Sequence, residues 1–209
     1  MKYLKMLALA AVAAGALMAF LGAGTASASK LCSTTVDPCP AGQGWTANTP
    51  IDFSIPSGQS ANLVDTTGEP LDNCSTSTVK GKITVAGSGT ETTTGPVEEL
   101  TWASCTFPTK TLTLGKLEVH RIAGTSNGTV TADGTFEVTI NTVFFGSCIY
   151  GVTSGVSLGD ITEGNPAIFH ANAVAEKFSG SNLACPSTSR WTATYTLTFP
   201  ETTLSISGS

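Results

Sequence analysis

The sequence predicts an all-β fold, a two-layer antiparallel β-sandwich of about ten strands held by disulfides and preceded by an N-terminal signal helix. Three observations carry that expectation. Segment after segment alternates apolar with polar residues at period two, which gives a strand one buried and one wet face. Turns rich in glycine and proline separate those segments at short intervals. Threonine, β-branched and suited to strands, occurs 33 times from Ser29 onward, while charged residues make up 12% of the chain. The wet faces are therefore expected to carry hydroxyls rather than charges.

The first residues read as an export signal. Lys2 and Lys5 precede an apolar run from Leu7 to Gly22, and Ala26-Ser27-Ala28 forms an A-x-A cleavage site. The run is short for a membrane span, so residues 1–28 are assigned to a signal peptide and 29–209 to a single secreted domain. Lys30 and Leu31 stand where a lipidation motif before Cys32 would need small residues. Cleavage leaves 181 residues, enough for one domain with its own core. It also removes Lys2 and Lys5, leaving eight basic residues against fifteen acidic and a net charge of −7. That balance disfavours nucleic acid and anionic lipid. With no second apolar span, no membrane partner is expected after cleavage. The expected location is extracellular, free in the medium or associated with the cell surface.

In chain order, Cys32 and Cys39 pinch a small loop stiffened by Pro38 and Pro40. Ile51, Phe53 and Ile55 mark a strand that Pro56-Ser57-Gly58 ends. Ala61 to Val64 starts another, and a polar loop leads to Cys74. Val79 to Val85 and Val97 to Cys105 flank a polar connector, with Leu100 and Trp102 on one face. Ile168 to Phe178 is ambiguous because its alanines permit a helix; it is read as two short strands with Ile168, Val174 and Phe178 inside. Trp191, Ala193, Tyr195, Leu197 and Phe199 alternate with four threonines, the cleanest strand pattern in the chain. Leu204 and Ile206 form a last edge strand.

The stretch from Cys105 to Cys148 reads as one long hairpin. Two turns compete for it. Asp133-Gly134 is a strong two-residue signal, but it sets Cys148 opposite Val119, out of reach of Cys105. A three-residue loop, Thr125-Ser126-Asn127 with Asn127 at positive φ, pairs Ile122 with Val130, Leu114 with Val138 and Leu112 with Ile140. It brings Cys148 next to Cys105 and leaves Ala132-Asp133-Gly134 as a bulge. This register is preferred, partly on the assumption that the two cysteines are joined. All six cysteines lie after the signal, which in an exported chain argues for three disulfides. The expected pairs are Cys32–Cys39, Cys105–Cys148 and, by elimination, Cys74–Cys185.

The runs Leu31-Cys32 and Pro38-Cys39, the central Ser104-Cys105-Thr106, and the ending Leu183-Ala184-Cys185-Pro186-Ser187-Thr188 with Trp191-Thr192-Ala193-Thr194-Tyr195 resemble an uncharacterised family. Its members are small exported bacterial proteins, mainly from high-GC Gram-positive lineages. The resemblance spans most of the mature chain and implies export and a shared fold, with no known activity.

No constellation for chemistry stands out. His120 and His170 are the two bases for neutral pH, and each lies in a strand pattern where a structural or surface role is expected. Gly151-Val152-Thr153-Ser154-Gly155 lacks the spacing of a nucleophile elbow. Glu98 and Glu99 are strand neighbours and are expected on opposite faces. Asp65, Glu69 and Asp72 share one loop and Asp160 and Glu163 another, without the regular spacing of a calcium loop. No metal or cofactor is expected. Asn127-Gly128-Thr129 matches a glycosylation sequon but is read as a turn. Trp102 and Trp191 are expected in the core. Trp45 and Tyr150 are the candidate ligand-binding residues, each either an exposed platform for a sugar ring or a buried anchor under a loop.

Three functions remain. The first is a non-enzymatic exported protein acting in envelope structure, adhesion or protein contact. The second is a carbohydrate-binding module using exposed aromatics, with a cell-envelope glycan as partner. The third is a hydrolase with an unrecognised site.

Overall fold

The structure, a computed structural model, describes residues 28–88 and 91–208. The expected signal helix lies outside them. The described residues form β-strands, turns and loops with no helix. In chain order the strands are β1 (Ser29–Cys32), β2 (Pro50–Ser54), β3 (Ala61–Asp65), β4 (Pro70–Lys82), β5 (Thr93–Cys105), β6 (Thr109–Thr113) and β7 (Lys116–Arg121). They continue with β8 (Gly128–Asp133), β9 (Phe136–Thr142), β10 (Gly146–Val152), β11 (Ser157–Thr162), β12 (Ile168–Lys177), β13 (Thr188–Phe199) and β14 (Ser205–Gly208).

The architecture is a closed barrel of eight staves, not a two-layer sandwich. Four staves are unbroken: β4, β5, β12 and β13. The other four are each split into two pieces: β2 with β3, β6 with β7, β8 with β9, and β10 with β11. Both β2 and β3 lie antiparallel between β4 and β13. β7 pairs with β5 and β8, and β6 with β9. β11 runs between β8 and β12, and β10 between β9 and β12. Finally β12 pairs with β13 over nine residues, from Ile168↔Thr196 to Glu176↔Thr188. Every stave thus neighbours the one before it in the chain, and the last closes on the first. This is an up-and-down barrel. Period-two alternation could not separate it from a sandwich, because both give each strand one inward face. The deciding contact is β13 on β2 and β3, between distant parts of the chain.

Two of the four breaks fall at glycines. Gly134, at φ 108°, separates β8 from β9. Gly115 separates β6 from β7, and a Cβ there would come 2.8 Å from the Phe136 ring. The bulge expected at Ala132-Asp133-Gly134 is therefore a break in a stave.

The hairpin turns where expected, with Ile122 N donating to Asn127 O at 3.0 Å. Its left-handed residue is Gly124, not Asn127. The register differs by three residues: Val119 faces Val130, Thr111 faces Val138 and Thr109 faces Ile140. An odd shift reverses a strand's faces, so Leu112, Leu114 and Ile122 point outward.

Three disulfides form, but two of the expected pairs are exchanged. Cys32–Cys39 stands; the others are Cys74–Cys105 and Cys148–Cys185. Cys74 and Cys105 are direct cross-strand neighbours on β4 and β5. Cys148 faces Ile140 of β9, with β9 and β6 between it and β5, so it cannot meet Cys105. The segment 168–178 is mostly one strand, β12, whose inward residues are Phe169, Ala171, Ala173 and Ala175; Val174 is exposed.

One end of the barrel is closed by a two-stranded sheet of β1 and β14. Leu31, Leu204 and Ile206 seal it from inside, and Trp45 N donates to Leu31 O at 2.9 Å. Asp37 ties this cap to the wall, accepting from Ser207 Oγ at 2.7 Å and pairing with Arg121. The turns after β3, β5, β9 and β12 make the other end.

Candidate functional site: the barrel interior

The inward residues of the staves do not fill the barrel. An apolar cavity of about 90 Å³ lies towards the end away from the cap. A second, of about 80 Å³, lies nearer the cap, and Val79, Val97, Leu117 and Phe169 line both. The cause is a mismatch of side-chain size. Ala61, Ala173, Ala175 and Gly151 offer small surfaces, while Trp102, Trp191, Phe136 and Phe169 stand opposite and beside them. Eight-stranded barrels have an interior just large enough to be filled by side chains or to hold one small ligand.

Aromatic rings form a connected array along the interior. Phe169 stacks on Tyr195 at 6.0 Å between centroids. Trp191 meets Trp102, Tyr195 and Phe169 edge to face at 5.9, 6.0 and 6.5 Å. The polar ends of two rings are satisfied. Tyr195 Oη shares a 2.9 Å hydrogen bond with Ser77 Oγ, and both residues are fully buried. Burial drives the Tyr195 phenol far above its ordinary pKa. Trp102 Nε1 donates to Thr111 Oγ1 at 3.1 Å, and Thr111 Oγ1 donates to Leu100 O at 2.7 Å where β6 meets β5. Trp191 Nε1 and Ser189 Oγ, at the preceding inward position of β13, are buried, and neither completes a hydrogen bond among the described residues; the indole N–H lies towards the Tyr195 hydroxyl without closing on it. Buried donors are rarely left unpaired, so the indole N–H of this cavity-lining ring is open to an acceptor that comes closer than the Tyr195 hydroxyl.

Of the two candidate platforms, neither is exposed. Trp45 is 7% exposed and anchors the cap. Tyr150 is 2% exposed, lines the larger cavity and donates to Pro186 O at 3.2 Å. Burial and the charge of Asp65 push its phenol up to about 12.

The titratable candidates lie elsewhere. His120 sits on the outer wall, with Nε2 3.1 Å from Thr131 Oγ1 and 3.4 Å from Glu118 Oε2. His170, exposed, faces Asp160 across β11 and β12. Glu98 and Glu99 do not take opposite faces. A bulge against Lys80 and Gly81 turns both outward, where they pair with Lys82 at 2.6 Å and Lys80 at 3.0 Å. Asp65 is used by its own turn, accepting from Thr67 N and Oγ1 at 2.7 Å and Glu69 N at 3.0 Å. The Thr67 hydroxyl leads in holding its pKa below the usual value. Asp72 is buried on the cavity wall and accepts from Asn73 N at 2.9 Å, Phe107 N at 3.0 Å and Thr109 Oγ1. It lies close to Cys74 and Cys105, whose sulfurs are bonded to each other and are not thiolate ligands.

The arrangement is suited to holding an apolar molecule in an apolar cavity beside aromatic faces. Comparisons with known protein families, characterised proteins and solved structures find no match.

Proposed function

We propose that this protein is a non-enzymatic, exported binding barrel that holds one small apolar molecule in its interior. The observation that carries this reading is the pair of adjoining apolar cavities, the larger lined by Ala61, Ala173 and Ala175 beside Trp102 and Trp191, with Trp191 Nε1 short of a closed hydrogen bond. An apolar cavity of roughly 150 Å³ takes up benzene or xenon, and the two cavities here, of about 90 and 80 Å³, reach that size taken together. The ligand class is therefore a small, flat, apolar molecule with one hydrogen-bond acceptor. Export is supported by the three disulfides, which persist in oxidising compartments, and by the leader-like first residues.

The test uses benzene and benzaldehyde as probes, the second adding an acceptor for Trp191. Both should raise the melting temperature of the disulfide-bonded protein and change its tryptophan fluorescence. A ligand present at a hundred times its Kd stabilises by about 2.7 kcal/mol. Ala173→Leu, which fills the larger cavity, should keep the fold and lose the response. The reading is overturned if neither probe acts on the wild type, or if the filled variant responds equally.

A further inference from the structure

Three of the most exposed apolar side chains lie at one place on this protein. Val143 and Phe144, 82% and 84% exposed, are in the turn between β9 and β10. Leu183, 94% exposed, is in the loop between β12 and β13. The two segments are packed together. Asn182 N donates to Ser147 O at 2.9 Å, Ile149 N to Ser181 Oγ at 2.8 Å, and Phe178 N to Ile149 O at 2.9 Å. The Cys148–Cys185 disulfide bonds them covalently. The tip is thus a braced projection.

Its composition is as unusual as its exposure. No charged residue occurs from Val138 to Gly159, or from Phe178 to Ser189. Lys177, at the base of the loop, turns its ammonium back onto Cys185 O at 3.0 Å. Besides Phe145 and Ala184, what flanks the three apolar side chains in the sequence is hydroxyl, amide and glycine: Asn141, Thr142, Gly146, Ser181 and Asn182. Singly exposed apolar side chains are ordinary; three gathered on one uncharged tip suggest a contact surface.

We propose that this tip is a contact site for the surface of a neutral lipid assembly. A convex, uncharged apolar projection fits a surface that closes around it, as an interfacial layer does; a protein groove would normally supply charge to a polar rim. The acidic balance of the chain selects among lipids, since it repels anionic headgroups and is indifferent to neutral ones. The expectation of no membrane partner rested on that charge and on the lack of a second apolar span. Neither bears on a neutral surface touched by a loop tip. The tip also stands at the barrel end away from the cap, nearer the larger cavity, but the inference does not depend on a ligand there.

The test is co-sedimentation of the disulfide-bonded protein, from Ser29 onward, with phosphatidylcholine vesicles, compared with vesicles of phosphatidylglycerol. The wild type should sediment with phosphatidylcholine at 0.15 M and 0.5 M salt alike, and less with phosphatidylglycerol. The double variant Phe144→Ser, Leu183→Ser should partition at least tenfold less, with an unchanged melting temperature and the same three disulfides. Val36→Ser, at the opposite end, should bind as the wild type does. Four results would overturn the proposal: no binding of the wild type to phosphatidylcholine, equal binding by the double variant, stronger binding to phosphatidylglycerol, or a concentration-dependent dimer that the double variant abolishes. If the double variant fails to fold, Leu183→Ser alone, in an exposed loop, carries the comparison.

Discussion

At the scale of single residues, Tyr195 shows how the interior accommodates a polar group. Its ring completes the aromatic array and its hydroxyl is hydrogen-bonded to Ser77. Tyr195→Phe leaves that serine buried and unpaired, at a cost of about 1–2 kcal/mol, which denaturant unfolding would show. The alternation around Tyr195 was plain in the sequence, and the inward set Trp191, Ala193, Tyr195 and Leu197 follows it. The fate of Trp45 and Tyr150 was not legible, because a ring beside a loop reads the same whether it lies on or under it. Asp37 carries the pH dependence of the cap. Its folded pKa is lowered, led by the hydrogen bond from Ser207 and helped by Arg121. A depressed carboxylate contributes stability above its unfolded value of 3.8 and loses it as pH falls further. The Asp37 side chain is 35% exposed, which keeps the effect modest. Acid unfolding should therefore show the cap loosening below that value, and Asp37→Asn should flatten the dependence, as followed by amide exchange in β1 and β14.

Strand positions were largely legible, and strand partners were not. Chain segments that alternate became strands because each buries one row of side chains, a local property. Which strands meet depends on turn geometry and on contacts made later in the chain. The hairpin between β7 and β8 turns where the sequence placed it, yet its register is displaced by three residues from the one chosen to bring Cys148 to Cys105, which is joined to Cys74 instead. The β12 alanines gave a weak signal for the same reason that they matter: a residue too small to fix a period is also too small to fill a barrel. Peptide mapping under non-reducing conditions should find Cys74 joined to Cys105 and Cys148 to Cys185. Replacing Cys74 and Cys105 by serine removes a closed loop with a sequence separation of 31 residues and should cost roughly 4 kcal/mol, read from the midpoint of denaturant unfolding.

For the whole molecule, closure is what converts a row of strands into a container. The pairing of β13 with β2 and β3 joins the two ends of the meander. Without it the inward faces would pack on one another and no interior volume would remain. No local pattern encodes that step, so the sequence supported a sandwich as well as a barrel. With it, the ring of eight staves fixes the diameter, and the small residues of β3, β10 and β12 decide how much of the interior stays empty. The most direct test is a crystal structure of the disulfide-bonded protein under xenon pressure. An eight-stranded ring is expected, with xenon bound among Trp102, Trp191 and Ala173 and a second, weaker site beside Phe53 and Val130. Two packed open sheets, or a closed barrel whose interior takes up no xenon, would contradict this expectation.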